Sequence, residues 1–185
     1  AIEAIIRDAA FRHVVYLAPT HRVRQSAQSA LSSVTGEDSS PQCSFKTIHW
    51  AVFSPTTGPH AGEPLLVSLL EGGGPFLVVV DEGSMVNNGQ YEALLNVVRT
   101  RSSVHVLIVG DPRQLPPVRS RGLAFIDMID QNRFSNHVRL VQNHRANERI
   151  ADFFDGMHGD ARPFPELIKR ARPDIYFDSC WSDMA

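Results

Sequence analysis

The sequence has little cysteine, little net charge and no long apolar run, and each shortage excludes a class of protein. Cys43 and Cys180 are the 2 cysteines among 185 residues, too few and too distant for a zinc site or a disulfide framework. A reducing, cytoplasmic location is therefore expected. A formal net charge of −2 argues against a uniformly basic surface. The longest apolar runs fall far below the roughly 20 residues of a membrane span, so no membrane partner is expected.

The residues that are present predict one α/β core. Apolar residues make up 43% of the chain and charged residues 21%, as in an ordinary globular domain. Strand-like and helix-like segments alternate, which is typical of a mainly parallel sheet flanked by helices. The predicted strands are 14–18, a short one near 45–48, 76–80, 105–109 and 138–141, and the predicted helices are 1–11, 21–33, 89–100, 122–131 and 146–156. The glycine- and proline-rich stretch 54–75 predicts a surface loop around a short apolar piece.

The segment 76–82 is the most informative part of the chain. Its uninterrupted apolar run predicts a strand that is covered on both faces, and the run ends in Asp81 and Glu82. Ligands of open parallel sheets bind beyond the carboxyl ends of the strands, where this pair is expected. One carboxylate there can hold Mg²⁺ and its neighbour can orient or deprotonate a water, as nucleotide hydrolysis requires. The alternative is a charged turn after a buried strand.

A second apolar run, 104–109, leads into the stretch Gly110–Val118. Gly110 is expected to let the backbone turn tightly at the strand end, and the prolines of this stretch stiffen the loop. Gln114 is then a neutral amide on a rigid loop, able to hydrogen-bond a phosphate oxygen and a water together. The alternative is a proline-stiffened surface loop, which the pairing with the carboxylate strand disfavours.

These stretches resemble a known family. The segment Asp81–Met85 resembles the helicase form of the Walker B motif. Gly110–Val118 resembles motif III of superfamily-one helicases, in the form of the RecD-like and Dda-like branch that moves 5′ to 3′. Leu17–Thr20 resembles motif Ia, and Thr47–His49 resembles the single-strand contact that follows motif Ia. The matches come in family order.

A further match lies near the end of this span. Leu140 with Asn143–Arg145, followed by 150–154, resembles motif IV, whose arginine reaches the γ-phosphate. Arg145 would neutralise charge on the transferring phosphoryl group. The alternative is an ion pair of Arg145 with Glu148 or Asp152 on the adjoining helix.

The resemblance implies a RecA-like core of the P-loop NTPase type that uses ATP and Mg²⁺. It implies that Asp81 holds the metal, Glu82 activates the attacking water, and Gln114 and Arg145 sense the γ-phosphate and stabilise its transition state. It also implies that two segments grip single-stranded DNA, with RNA as a possible substrate: Pro19, Thr20 and His21, then Thr47 and His49. Trp50 follows the second segment, either as a stacking face for bases or as part of the core.

One element of the family is missing from these 185 residues, the phosphate loop Gly-x-x-x-x-Gly-Lys-Ser/Thr. The amphipathic helix predicted for 1–11 has no capping residue at its start, so it is expected to be the truncated helix that this loop opens. A Gly-Lys-Ser/Thr is expected upstream of Ala1 in the parent protein. The chain alone is expected not to hydrolyse ATP, whereas its parent is expected to do so.

The motifs of a second motor domain are also missing. The chain is therefore predicted to contain a partial RecA-like motor domain at 1–160 and an exit toward that second domain at 161–185. Two alternatives remain open: an RNA helicase of the type found in RNA viruses, and a catalytically inactive relative that binds nucleic acid or a partner as a scaffold.

Overall fold

The computed structural model describes most of residues 11–111. The described residues are 11–32, 42–59, 61–71, 73–111, 114, 136, 138 and 140. The backbone separates into two compact units, 1–135 and 136–185. Every helix and strand described below belongs to the first unit.

The core of this unit is a four-stranded parallel sheet. Its strands are β1 (His13–Ala18), β2 (Gln42–Thr47), β3 (Phe76–Val80) and β4 (Val104–Ile108), in the order β2-β1-β3-β4. All three pairings are parallel, and β1 pairs with β3 from His13 opposite Phe76 to Leu17 opposite Val80. The predicted α/β fold with a parallel sheet is confirmed.

The two central strands are apolar because both of their faces are covered. All five residues of β3 are buried, as are five of the six residues of β1. Side chains alternate between the two faces of a strand, so each of these strands contributes side chains to two apolar clusters. One cluster contains Leu17, Val78 and Val80 with residues of later helices, and the other contains Tyr16 and Val79 with residues near the first helix.

The helices cover the two faces of this sheet. They are α1 (His21–Ala30), α2 (Ile48–Val52), α3 (Leu66–Leu69) and α4 (Asn88–Arg99), with a 3-10 turn at Gly83–Met85. The start of α4 is fixed by a capping box, in which Asn87 Oδ1 accepts from Gln90 N at 2.9 Å and Gln90 Oε1 accepts from Asn87 N at 3.2 Å. Among the described helices, none is long and apolar enough to cross a membrane.

Two predicted elements differ from the structure by more than one residue at an end. The strand expected near 45–48 begins earlier, at Gln42, and ends at Thr47, because Ile48 already belongs to α2. The helix expected over 21–33 ends at Ala30. The stretch 54–75 is mostly loop, as predicted, and its apolar piece forms the short helix α3.

Several predicted elements lie outside the described residues. These are the helices 1–11, 122–131 and 146–156 and most of the strand 138–141, of which Val138 and Leu140 are described and belong to no strand. The predicted division at residue 160 stays a prediction.

Candidate functional site

The carboxyl ends of all four strands lie on one edge of the sheet, because every pairing is parallel. Pro19 and Thr20 follow β1, Thr47 ends β2, Asp81 follows β3, and Gly110 lies just after β4. Polar residues that are far apart in the sequence are thereby brought to the same edge. This edge is the place where open parallel sheets bind their ligands.

Asp81 is held at this edge by its backbone and by its side chain. Its amide N donates to Leu17 O of β1 at 2.9 Å, so the pairing of β3 with β1 continues past the last strand residue. Its carboxylate accepts two hydrogen bonds, one at Oδ2 from the Tyr16 hydroxyl and one at Oδ1 from the Glu82 amide at 3.0 Å. Both oxygens are therefore oriented by donors of fixed position.

Glu82 occupies a strained backbone conformation. Its φ is 51° and its ψ is 46°, the left-handed region, and it is the non-glycine residue with positive φ in the described part of the chain. This conformation costs roughly 1–2 kcal/mol for an L-residue other than glycine. Strained residues cluster at functional sites, where the surroundings hold them in place.

Two hydrogen bonds of Gly83, one at its amide N and one at its carbonyl O, maintain this turn. Gly83 N donates to Val109 O at 2.8 Å, which links the turn to the end of β4. The hydroxyl of Tyr91, buried on α4, donates to Gly83 O at 2.7 Å. The Asp81–Glu82 pair is therefore anchored to β1 on one side and to β4 and α4 on the other.

Gly110 packs directly against the same turn. A Cβ atom built on Gly110 would lie 2.9 Å from Gly83 N, closer than real Cβ atoms come, and 3.0 Å from Ser84 N, which is also tight. Gly110 is not among the described glycines with positive φ. Glycine is therefore required here by the close approach of two backbones and not by a left-handed φ.

The segment after Gly110 is described at two positions. Gln114 N donates to Asp111 O at 3.0 Å, which closes a tight turn, and the Gln114 side chain is exposed. Gln114 thus follows β4 at the same edge that carries Asp81, one strand away. Arg145 lies outside the described residues.

The two tyrosines beside the carboxylate pair stay protonated. Burial, the hydrogen bond to Asp81 and the charges of Asp81 and Glu82 together raise the pKa of Tyr16 far above its ordinary value. Burial raises the pKa of Tyr91 as well. Each phenol is therefore a hydrogen-bond donor across the physiological pH range.

The surroundings of Asp81 fit a hard divalent cation. Its two donors are a phenol and a backbone amide, both neutral, so they orient the carboxylate without cancelling its charge. Each carboxylate oxygen retains a further lone pair. Oxygen ligands of this kind suit Mg²⁺, which binds through one or two carboxylates and keeps several waters.

The first predicted nucleic-acid segment opens α1. The Thr20 hydroxyl oxygen accepts from Val23 N at 3.3 Å and so caps the helix. Thr20 and His21 are exposed and Pro19 is half-buried. The exposed start of this ten-residue helix leaves backbone amides near the edge of the sheet, where a phosphate can bind.

The second predicted segment opens α2. Thr47 is buried, with 8% of its surface exposed, and its hydroxyl oxygen accepts from Trp50 N at 3.2 Å. The Thr47 hydroxyl therefore caps α2. Of the residues in this segment, His49 is the exposed one. Trp50 is partly buried against the core.

Two residues beside this segment extend its exposed surface. The Lys46 ammonium lies 4.9 Å from the centre of the Trp50 ring, within cation–π range. Phe53 is 49% exposed, and its ring centre lies 6.4 Å from that of His49. Phe53 is the C-cap of α2 and has an extended backbone, so its spacing from His49 is not a helical repeat, and sequence reasoning had no signal for it.

The parallel sheet and its polar carboxyl edge define an α/β domain, and the family match that follows makes it one of the P-loop NTPase type. The chain belongs to the AAA domain family, whose sequence profile matches residues 1–164. Nucleotide binding is the shared property of this class, and its members generally use ATP or another nucleoside triphosphate with Mg²⁺.

A viral protein is similar to this chain. An uncharacterized protein of Acanthamoeba polyphaga mimivirus, R530, is 28% identical over 149 residues. The match covers 76% of this chain and 30% of the viral protein, so the chain spans under a third of the relative's length.

Proposed function

We propose that this chain is the first motor domain of a nucleic-acid-dependent ATPase, a superfamily-one helicase of the RecD-like and Dda-like branch. Such a motor couples ATP hydrolysis to movement on single-stranded DNA. Nucleotide binding is common to the family. The proposal adds a nucleic-acid substrate, single-stranded DNA, and a direction of movement, 5′ to 3′.

One observation carries this proposal. The Asp81–Glu82 turn and the start of the Gln114 segment are in direct backbone contact, through the bond from Gly83 N to Val109 O and the packing of Gly110. The two motifs that would address the metal, the water and the γ-phosphate are thus joined by backbone contacts.

The carboxylates take different roles in this proposal because they are held differently. Asp81 has both oxygens fixed by hydrogen bonds and would hold Mg²⁺, which neutralises charge on the phosphates when bound. Glu82 directly follows Asp81 and has a left-handed backbone conformation. Glu82 would orient the attacking water and accept its proton.

Gln114 and Arg145 would act on the γ-phosphate. The exposed Gln114 amide can donate to a phosphate oxygen and accept from a water. Arg145 would supply the positive charge that stabilises the transition state, since guanidinium binds phosphate oxygens in a fork. The helices α1 and α2, which begin at the same edge, would bring the single strand close to this site.

The proposal is tested with the full-length protein that contains this chain. ATP hydrolysis with Mg²⁺ is measured alone, with single-stranded DNA and with single-stranded RNA, and unwinding is measured on duplexes with a 5′ or a 3′ tail. DNA-stimulated hydrolysis and unwinding of the 5′-tailed duplex are expected. Stimulation by RNA alone would favour the RNA helicase, and strand binding without any hydrolysis would favour the scaffold; either result contradicts the proposal.

The exposed rings of His49 on α2 and of Phe53, which directly follows α2, give a second expected result. Alanine replacement of His49 or Phe53 is expected to weaken binding of single-stranded DNA by about 1–3 kcal/mol per stacked base, measured by fluorescence anisotropy. The matched control is His105→Ala, because His105 is also exposed but lies near the amino end of β4. Equal losses for His49 and His105 would remove α2 from the DNA path.

A further inference from the structure

We propose that Tyr16 is a positioning residue for the metal-holding carboxylate of Asp81. Its hydroxyl fixes the direction of the carboxylate across two strands and so sets the affinity of the site for Mg²⁺. This inference rests on the proposed function, in which Asp81 holds the metal.

The bond joins residues that the sheet brings together from 65 positions apart. The Tyr16 hydroxyl donates to Asp81 Oδ2, while Oδ1 accepts from the Glu82 amide at 3.0 Å. One donor on each oxygen restricts rotation of the carboxylate about its Cβ–Cγ bond. The lone pairs that remain then have fixed directions for a cation.

The chemical type of the donor suits a metal site. A lysine or arginine at this position would also orient the carboxylate, but its positive charge would compete with Mg²⁺ for the same negative charge. A phenol supplies a hydrogen bond without a charge. Groups that orient metal ligands in this way commonly change metal affinity by about 10- to 100-fold when they are mutated.

The position of the phenol is itself well fixed. Tyr16 is 3% exposed and lies in β1, where it is paired in register with Val79 of the neighbouring strand. Asp81 comes two residues after Val79 and so lies on the same face. The ring packs on Phe45 of β2, with ring centres 5.5 Å apart, so the hydroxyl is aimed by packing from both neighbouring strands.

The test is a magnesium titration of the full-length protein. Tyr16→Phe keeps the buried ring and removes only the hydroxyl. It is expected to raise the Mg²⁺ concentration for half-maximal nucleotide binding about tenfold, with single-stranded DNA affinity unchanged. Ser68→Ala is the matched control, because it also deletes one side-chain hydroxyl that donates a hydrogen bond, but that bond goes to Leu65 O at the start of α3 at 2.8 Å. Ser68→Ala is expected to leave the half-maximal Mg²⁺ concentration unchanged.

The comparison with Asp81→Asn separates this inference from the function on which it rests. If Asp81→Asn keeps the parental Mg²⁺ dependence, Asp81 does not hold the metal and the proposed function loses its metal assignment. If Asp81→Asn shifts the dependence but Tyr16→Phe does not, only the positioning role is wrong. The role also predicts that Tyr16→Phe adds nothing to the shift of Asp81→Asn, since Tyr16 acts through Asp81; additive shifts would overturn it.

Discussion

Replacing Glu82 with glutamine is expected to lower ATP turnover by about 10²- to 10⁴-fold, the contribution of a general base, while nucleotide binding is retained. Glutamine keeps the size of the side chain and one hydrogen-bonding oxygen, but it cannot accept the proton of the attacking water. Asp81 and its two hydrogen-bond donors are untouched, so Mg²⁺-dependent binding is expected to persist. Single-turnover hydrolysis and binding of a fluorescent nucleotide measure the two quantities separately.

The left-handed backbone at this position makes the substitution informative. Glutamate and glutamine have the same branching at Cβ, so the cost of holding φ at 51° is closely similar before and after the change. A loss of turnover then reports the carboxylate rather than the turn. The control is Glu63→Gln, which makes the same change of charge at an exposed loop position. Parental turnover in the Glu82 variant would remove this residue from the mechanism.

The sequence predicts the sheet better than it predicts the contacts at the edge of the sheet. The strand 76–80 is predicted with correct bounds because five consecutive apolar residues need cover on both faces. The predicted start of β2 is too late in the chain, because its first residues, Gln42, Cys43 and Ser44, include a single apolar residue between two polar ones. Edge strands are held by backbone hydrogen bonds, which the side-chain pattern does not reveal.

The boundary between β2 and α2 at Thr47 is a second feature that the sequence pattern does not predict. Thr47 is the last residue of β2, and the β-branched pair Thr47 and Ile48 favours continuation of that strand. The structure instead uses the Thr47 hydroxyl as a helix cap, so α2 begins at Ile48. Threonine suits both roles, and the tertiary packing of Ile48 into the core decides between them.

Some residues of the candidate site can be predicted from the sequence, and others cannot. The order of motifs along the chain indicates Asp81 and Gln114 because each follows an apolar run, and parallel pairing then places them at one edge. The supporting residues Tyr16 and Tyr91 lie within an ordinary strand and helix, with no local signal. Their hydroxyls acquire partners only when strands distant in sequence pair, so their roles require the three-dimensional structure.

A substitution at Gly110 tests the backbone contact between the Asp81–Glu82 turn and the segment that leads to Gln114. Gly110→Ala is expected to destabilise the domain by about 1–3 kcal/mol, the usual cost of inserting a methyl group into a packed site. The new Cβ would lie 2.9 Å from Gly83 N and 3.0 Å from Ser84 N, and both are backbone atoms that cannot rotate away. The turn after Glu82 must therefore shift, and the bond from Gly83 N to Val109 O must lengthen.

A shift of this turn is also expected to lower activity beyond the loss of folded protein. Displacement of a catalytic group by about 1 Å can cost about 10²-fold in rate, so turnover per folded molecule is expected to fall by up to that factor. The control is Gly89→Ala in α4, where the added Cβ meets its nearest atom, Asn87 Oδ1, at 3.4 Å. Alanine is favoured over glycine inside a helix by up to about 1 kcal/mol, so this variant is expected to be neutral or stabilising. Denaturant unfolding and ATPase assays of both variants in the full-length protein measure the two effects. If Gly110→Ala matches Gly89→Ala in stability and turnover, the close approach of the two motifs does not govern the site.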